Sequence, residues 1–270
     1  MSISDYRSPV AELLTYGDCR NYDKWPNYVR ELDLKDEHIP ELIQMAIDAV
    51  LSEAHSDSKE VWAPVHAWRA LGQLKAVSAV EPLFDFLNED WEPNDWLSSE
   101  LPTICTLIGP DAIPTLKAFL ENPDRDFHAR IDAASSLESI SQKYPETRDS
   151  TIEIIAGELA KFQENNPSFN GFLISELIEL QAIEKIDLIE AAFKANRVDL
   201  SINGNWDEVQ VEFGLKSRDE VPRRKSALLP ALDLFFSDNP SSQKKNGFGS
   251  VPSNKKKKKS KNAGKRKKKR

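Results

Sequence analysis

The chain has 270 residues, 40% of them hydrophobic, and a formal net charge of −8 from 36 basic and 44 acidic side chains. That is enough apolar material for a substantial core, and with Cys19 and Cys105 as its two cysteines it excludes a disulfide framework and a Cys-rich zinc site. No run approaches the roughly 18 consecutive apolar residues of a spanning helix, and residues 1–16 lack the basic and apolar segments of a secretory signal, so no membrane span is expected and the cytoplasm is the default location.

The overall charge conceals a partition. Residues 254–270 hold 12 of the basic side chains and no acidic one, which leaves residues 1–253 with 24 basic against 44 acidic, a balance of −20. An acidic body therefore carries a basic tail.

In chain order, residues 1–36 have weak periodicity and read as an N-terminal cap, with a short helix opening at Pro9 that turns Leu13 and Leu14 inward and another turn over 28–34 after Trp25-Pro26. Residues 37–51 read as one helix, with Ile39, Leu42, Ile43, Ala46, Ile47 and Val50 at spacings of three and four. Trp62, Val65, Trp68 and Leu71 form the apolar face of the next helix, and residues 79–87 supply its partner. Residues 95–108 and 112–120 make a second pair, 127–141 and 146–162 a third, 169–180 and 183–195 a fourth. Residues 198–236 read as a C-terminal cap, with helices at 206–214 and 227–236. Residues 237–270 are too poor in apolar side chains to offset the entropy of ordering and are expected to be a disordered linker and polybasic tail.

One motif occurs twice within this order. Laying Ala79, Val80, Leu83, Phe86 and Leu87 over Ala112, Ile113, Leu116, Phe119 and Leu120 matches every residue in character, and Leu71-Gly72 upstream matches Ile108-Gly109. Each copy reads as a helix ended by glycine, a short turn, and a second helix with a proline, Pro82 or Pro114, near its start. The turn positions Leu71, Ile108, Ile140 and Leu180 are spaced by 37, 32 and 40 residues. Helical hairpins at such a period predict an all-α fold, an α-solenoid of about four to five hairpins over residues 37–197.

The segments LGQLKAVSAVEPL and IGPDAIPTLKAFL resemble the HEAT-like repeats of the phycobilisome-lyase type, and the body resembles an uncharacterised bacterial family of such proteins. Some relatives of that kind end in a small Cys-rich zinc module, whereas here no cysteine follows Cys105 and a basic tail stands in its place. The resemblance implies a solenoid and leaves function open between scaffold and lyase. The alternative it raises is a bilin lyase-like enzyme, although no residue here identifies a chromophore contact.

The sequence itself favours a non-enzymatic interaction scaffold with no cofactor. His38, His55, His66 and His128 share no metal or triad spacing, His66 between Trp62 and Trp68 reads as a packing residue, and no phosphate loop or nucleophile elbow is present. The loop Asp90-Trp91-Glu92-Pro93-Asn94-Asp95-Trp96 offers carboxylates, but two tryptophans packing back on the repeats explain it more simply. The second helix of each hairpin commonly lines the concave face of a HEAT-like array, and here those helices carry Glu81, Asp85, Glu121, Glu153, Asp187 and Glu190. Either this acidic face accepts a basic segment of a protein partner, with Trp91 or Trp96 as an aromatic anchor, or its charges merely solvate the helices.

The tail cations are Lys255, Lys256, Lys257, Lys258, Lys259, Lys261, Lys265, Arg266, Lys267, Lys268, Lys269 and Arg270, with no aromatic residue among them to stack on bases. Such a segment is expected to bind RNA, DNA or another polyanion without base specificity and with a steep dependence on salt. Docking on the chain's own acidic body would compete with that binding, and a membrane surface ranks last because no lipid or apolar anchor accompanies the charge.

Overall fold

A computed structural model describes residues 6–89 and 95–221. Every regular element among them is helical, as expected, and no helix there is long and apolar enough to cross a membrane. The helix predicted at 227–236, the tail and Trp91 lie outside the described residues.

The N-terminal residues form two 3-10 turns, Val10–Thr15 and Cys19–Asn21, and one short helix, α1 (Tyr28–Glu31). Leu13 is fully buried and Leu14 packs partly buried against the core. The single helix predicted over 37–51 is instead two, α2 (Ile39–Ala46) and α3 (Ala49–Ser52). Asp48 separates them: its carboxylate accepts hydrogen bonds from the Val50 and Leu51 amides at 2.9 and 3.4 Å and so starts a new helix. Aspartate offers the backbone this local alternative to a continuous helix. The break turns Val50, expected on the inner face, outward to 50% exposure.

The remaining helices are α4 (Ala63–Gln73), α5 (Val80–Glu89), α6 (Asp95–Ile108), α7 (Ile113–Glu121), α8 (Phe127–Lys143), α9 (Arg148–Leu159), α10 (Pro167–Glu179), α11 (Ile186–Lys194), α12 (Leu200–Asn203) and α13 (Trp206–Glu212). Asp126 and Asn166 cap α8 and α10 with side-chain oxygens, and Asn205 and Glu208 form a reciprocal capping box at α13. The first helices of successive pairs pack on one another in sequence, α4 on α6, α6 on α8 and α8 on α10. The second helices do likewise, α5 on α7, α7 on α9 and α9 on α11, while α7 with α8 and α9 with α10 join the two rows.

The turns correct one expectation. Gly72 does not end α4; it lies inside the helix, and a Cβ there would sit 3.4 Å from the Ile104 Cα and carbonyl oxygen of α6. The glycine is a point of close approach between two helices. The left-handed residue that ends α4 is Lys75, at φ 56°. Its N–H bonds the Gly72 carbonyl at 3.1 Å and the Ala76 N–H bonds the Leu71 carbonyl at 3.0 Å, the paired bonds of a Schellman turn. Gln181, at φ 49°, repeats the arrangement after α10. Gly109, at φ 97°, does end α6 as expected.

The matched positions of the repeated motif do share an environment. Ala79, Leu83 and Phe86 on one copy, and Ala112, Leu116 and Phe119 on the other, are all buried. Phe84 and Phe119 bring their rings to 5.1 Å across α5 and α7. Each fully buried leucine or phenylalanine contributes about 1.5–3 kcal/mol, so these side chains hold the second helices together. Val198, Val209 and Phe213 belong to the same buried core, which runs from Tyr6 onward.

Candidate functional site

Four polar or aromatic features stand out from the apolar packing, and their geometry separates structural roles from available chemistry.

The first is a buried network under the N-terminal residues. His66 on α4 is fully buried. Its Nε2 lies 2.7 Å from the Gly17 carbonyl, which can only accept, so Nε2 carries the hydrogen and Nδ1 accepts from the Tyr28 hydroxyl at 2.6 Å. Burial holds the imidazole below its ordinary pKa, which keeps it neutral. Next to it, Arg69 on α4 pairs bidentately with Glu100 on α6, its Nε 2.8 Å from Oε2, while the guanidinium stacks on Trp25 at 4.8 Å. Cys19 is buried beside this pair, and burial raises its thiol pKa. Cys105 on α6 is a core residue whose thiol burial pushes up to about 12. Neither sulfur is a nucleophile at neutral pH.

The second feature is the acidic face of the second helices. The structure supplies most of those carboxylates with cations, some far away in sequence and some one helical turn on. Arg125 pairs with Asp85 and stands 3.9 Å from Glu81. Lys185 reaches Glu153 at 2.6 Å, and Lys194 reaches Glu190 at 2.8 Å. Lys117 lies 3.9 Å from Glu121. Glu158, 2% exposed, is held by Arg130 at 2.7 Å and Lys161 at 2.6 Å. Asp187 is exposed. The free negative charge of this face is therefore smaller than its sequence advertises.

The third feature is a cleft of about 210 Å³ lined by Val61, Trp62, Pro64, Val65, Trp68 and Trp96. Trp96, at the start of α6, is 41% exposed and meets Trp62 edge to face at 5.4 Å. Trp68 donates its indole N–H to the Ala46 carbonyl at 2.7 Å, so its ring offers the cleft only apolar surface. The Arg20 guanidinium lies 4.9 Å over the Trp62 ring. Glu53, Asp57 and Glu60 belong to the segment beside the cleft, and Glu53 and Asp57 are exposed. An apolar pocket with an exposed aromatic lip suits an apolar anchor.

The fourth feature was not singled out from the sequence. Asp132 and Glu138 on α8 and Glu176 on α10 are carboxylates without an ion-pair partner among the described residues, and Glu179 on α10 accompanies them. Ser98 on α6 donates to Asp132 at 2.8 Å, and Ser139 to Glu138 Oε2 at 3.3 Å. Burial first, then the neighbouring Glu138 and Glu179, push the Glu176 pKa up to about 8. Burial likewise raises Asp132 to about 6. A signal was present: α6, α10 and α12 contain no lysine or arginine at all. Among the described residues no three His, Cys, Asp or Glu side chains are grouped so as to hold a metal ion.

Compared with models of protein families, with curated proteins and with solved structures, the chain matches none.

Proposed function

We propose that this protein is a non-enzymatic interaction module, an α-solenoid of HEAT-like hairpins that captures a protein partner in the cleft around Trp62, Trp68 and Trp96. The repeated motif and the packing of alternate helices on one another support the solenoid reading. The cleft carries the functional reading, because Trp96 is a large aromatic side chain left exposed beside two others in a concave apolar site. The occupant is an extended segment with an apolar anchor and flanking lysine or arginine, matched to Glu53, Asp57 and Glu60 of the segment that supplies Ser52 and Ser56 to the cleft. Titration of the full chain with such a peptide should quench tryptophan fluorescence, and Trp96→Ala should weaken binding roughly 30-fold, the effect of losing a central aromatic anchor. Equal affinity of Trp96→Ala and wild type, or equal binding of a peptide with acidic flanks, would overturn the reading.

The composition of residues 254–270 favours a second, separate activity, contact with RNA or another polyanion. The full chain should shift a labelled RNA at low salt, and a chain ending at Ser237 should not. Equal binding by both would remove the tail from the account.

A further inference from the structure

We infer that the carboxylates Asp132, Glu138 and Glu176, on the faces that α8 and α10 turn to one another, form a receptor for lysine or arginine side chains of a basic protein segment. The inference does not depend on the tryptophan cleft.

The acids between α8 and α10 are served differently from those of the second helices. On α5, α7, α9 and α11 most carboxylates find intramolecular cations: Asp85 has Arg125, Glu153 has Lys185, Glu190 has Lys194 and Glu158 has two. On the first-helix row Glu100 of α6 has Arg69 of α4, but none of the ion pairs reaches Asp132, Glu138 or Glu176. Helices α6, α10 and α12 contain no lysine or arginine. The two cations of α8 are engaged elsewhere, Arg130 with Glu158 and Lys143 with the Thr106 carbonyl at 3.4 Å. Asp132, Glu138 and Glu176 are left with neutral partners, the hydroxyls of Ser98, Ser135 and Ser139 and the amide of Gln142.

Glu138 is short of a donor. It is 6% exposed, and its Oε1 is buried with no hydrogen-bond partner. A buried carboxylate oxygen without a donor costs about 1–3 kcal/mol or more, a cost that a well-packed helix pair has no reason to retain unless a donor arrives. Its electrostatic neighbours are Glu179 and Glu176, so the orphaned oxygen belongs to the same group of acids. Glu176 is 8% exposed and equally short of positive charge.

The charged surroundings are these. From α8, Glu138 and Asp132 face Glu176, and from its own helix Glu179 does; Asp132 in turn feels His128 and Asp126. Titratable groups of α9 are turned to other partners, Arg148 to Glu184 and Glu158 to Arg130. Helix α12, Leu200–Asn203, carries none. Burial first, then three neighbouring acids with no base among them, explains why the Glu176 carboxyl holds its proton up to about pH 8. An incoming ammonium or guanidinium would reverse that preference, so binding near neutral pH must expel a proton.

That expulsion gives a direct test. The full chain is titrated calorimetrically near pH 7, in two buffers of different ionisation enthalpy, with an acetylated and amidated peptide of alternating lysine and alanine. Binding should release a fraction of a proton approaching one, weaken with added salt and disappear when the lysines are acetylated. Glu176→Gln should abolish the proton release and weaken binding roughly tenfold, about 1.4 kcal/mol. Glu138→Gln should weaken binding while leaving some proton release, and Glu146→Gln, on an exposed turn elsewhere, should change neither. Thermal unfolding of each variant confirms that it is folded. Unchanged affinity and proton release in Glu176→Gln would overturn the assignment. Spermidine binding as tightly as the peptide, with the same proton release, would overturn the partner class by making this a polyamine site.

Discussion

Replacing Glu176 with glutamine should stabilise the protein, and by an amount that depends on pH. Burial and the neighbouring acids raise this carboxyl from its ordinary 4.5 to about 8 in the folded chain. Folding therefore takes up a proton across that range. The stability carried by the protonated form is fully present below pH 4.5 and is lost progressively as pH rises through about 8, where the folded group ionises too. Each unit of difference is worth about 1.4 kcal/mol, so at pH 7 the wild-type chain forgoes about 3 kcal/mol, to order of magnitude. Glutamine keeps an oxygen for Ser135 and removes the ionisable group. Allowing for imperfect packing of the amide, we expect a gain of about 1–3 kcal/mol at pH 7, or several degrees in Tm. Urea unfolding followed by circular dichroism, at about pH 5, 7 and 8.5, measures it. The gain should be smallest at the acid end and largest at the alkaline end. A gain independent of pH, or a Glu176→Gln chain less stable than wild type at about pH 8.5, would refute the reasoning.

His66 gives the opposite sign: its folded pKa lies below the ordinary 6.5, so the stability it contributes is present above 6.5 and lost as pH falls through the folded value, and His66→Phe should flatten the acid limb of the stability profile. Lys75→Gly should raise stability by about 1 kcal/mol in denaturant unfolding, because glycine relieves the left-handed strain at φ 56°, and Gly109→Ala should lower it by about as much by the same reasoning at φ 97°. Arg69→Met should cost about 3–5 kcal/mol, since it leaves the Glu100 carboxylate buried without its guanidinium, and adding Glu100→Leu should recover much of that loss.

Helix positions were the most legible part of the chain. The helix read at residues 95–108 is the one observed, Asp95–Ile108, because its apolar side chains keep one period and a glycine follows it. The break at Asp48 was missed because apolar spacing runs through it unbroken, while a side-chain hydrogen bond to two amides decides the backbone. Gly72 was misread because leucine-glycine before a turn has the same spelling whether glycine bends the chain or admits a neighbouring helix. The acidic face was legible as composition but not as charge, since Arg125 reaches Asp85 across 40 positions and Lys185 reaches Glu153 across 32. Trp96 was legible as an exposed aromatic. The α8–α10 carboxylates were hidden because α8 buries Ser136, Glu138 and Ser141 along with its apolar residues. A helix covered on several sides does not display the simple polar-out pattern that would flag a buried acid.

The network beneath the N-terminal residues also orders events in time. Gly17 waits for His66, 49 positions later, and Pro26 for the Gln73 amide, 47 positions later. The guanidinium that stacks on Trp25 is itself held by Glu100, another 31 residues on from Arg69. During synthesis the residues ahead of α1 therefore have nothing to fold against until α4 and then α6 have followed them. The helical pairs from α4 onward rest mainly on contacts with the next pair and can form as they emerge, whereas the earlier residues around Gly17 and Trp25 are among the last to settle. Slowing translation within the codons for residues 63–100 would prolong their exposure, and a protease added to stalled chains would find them there.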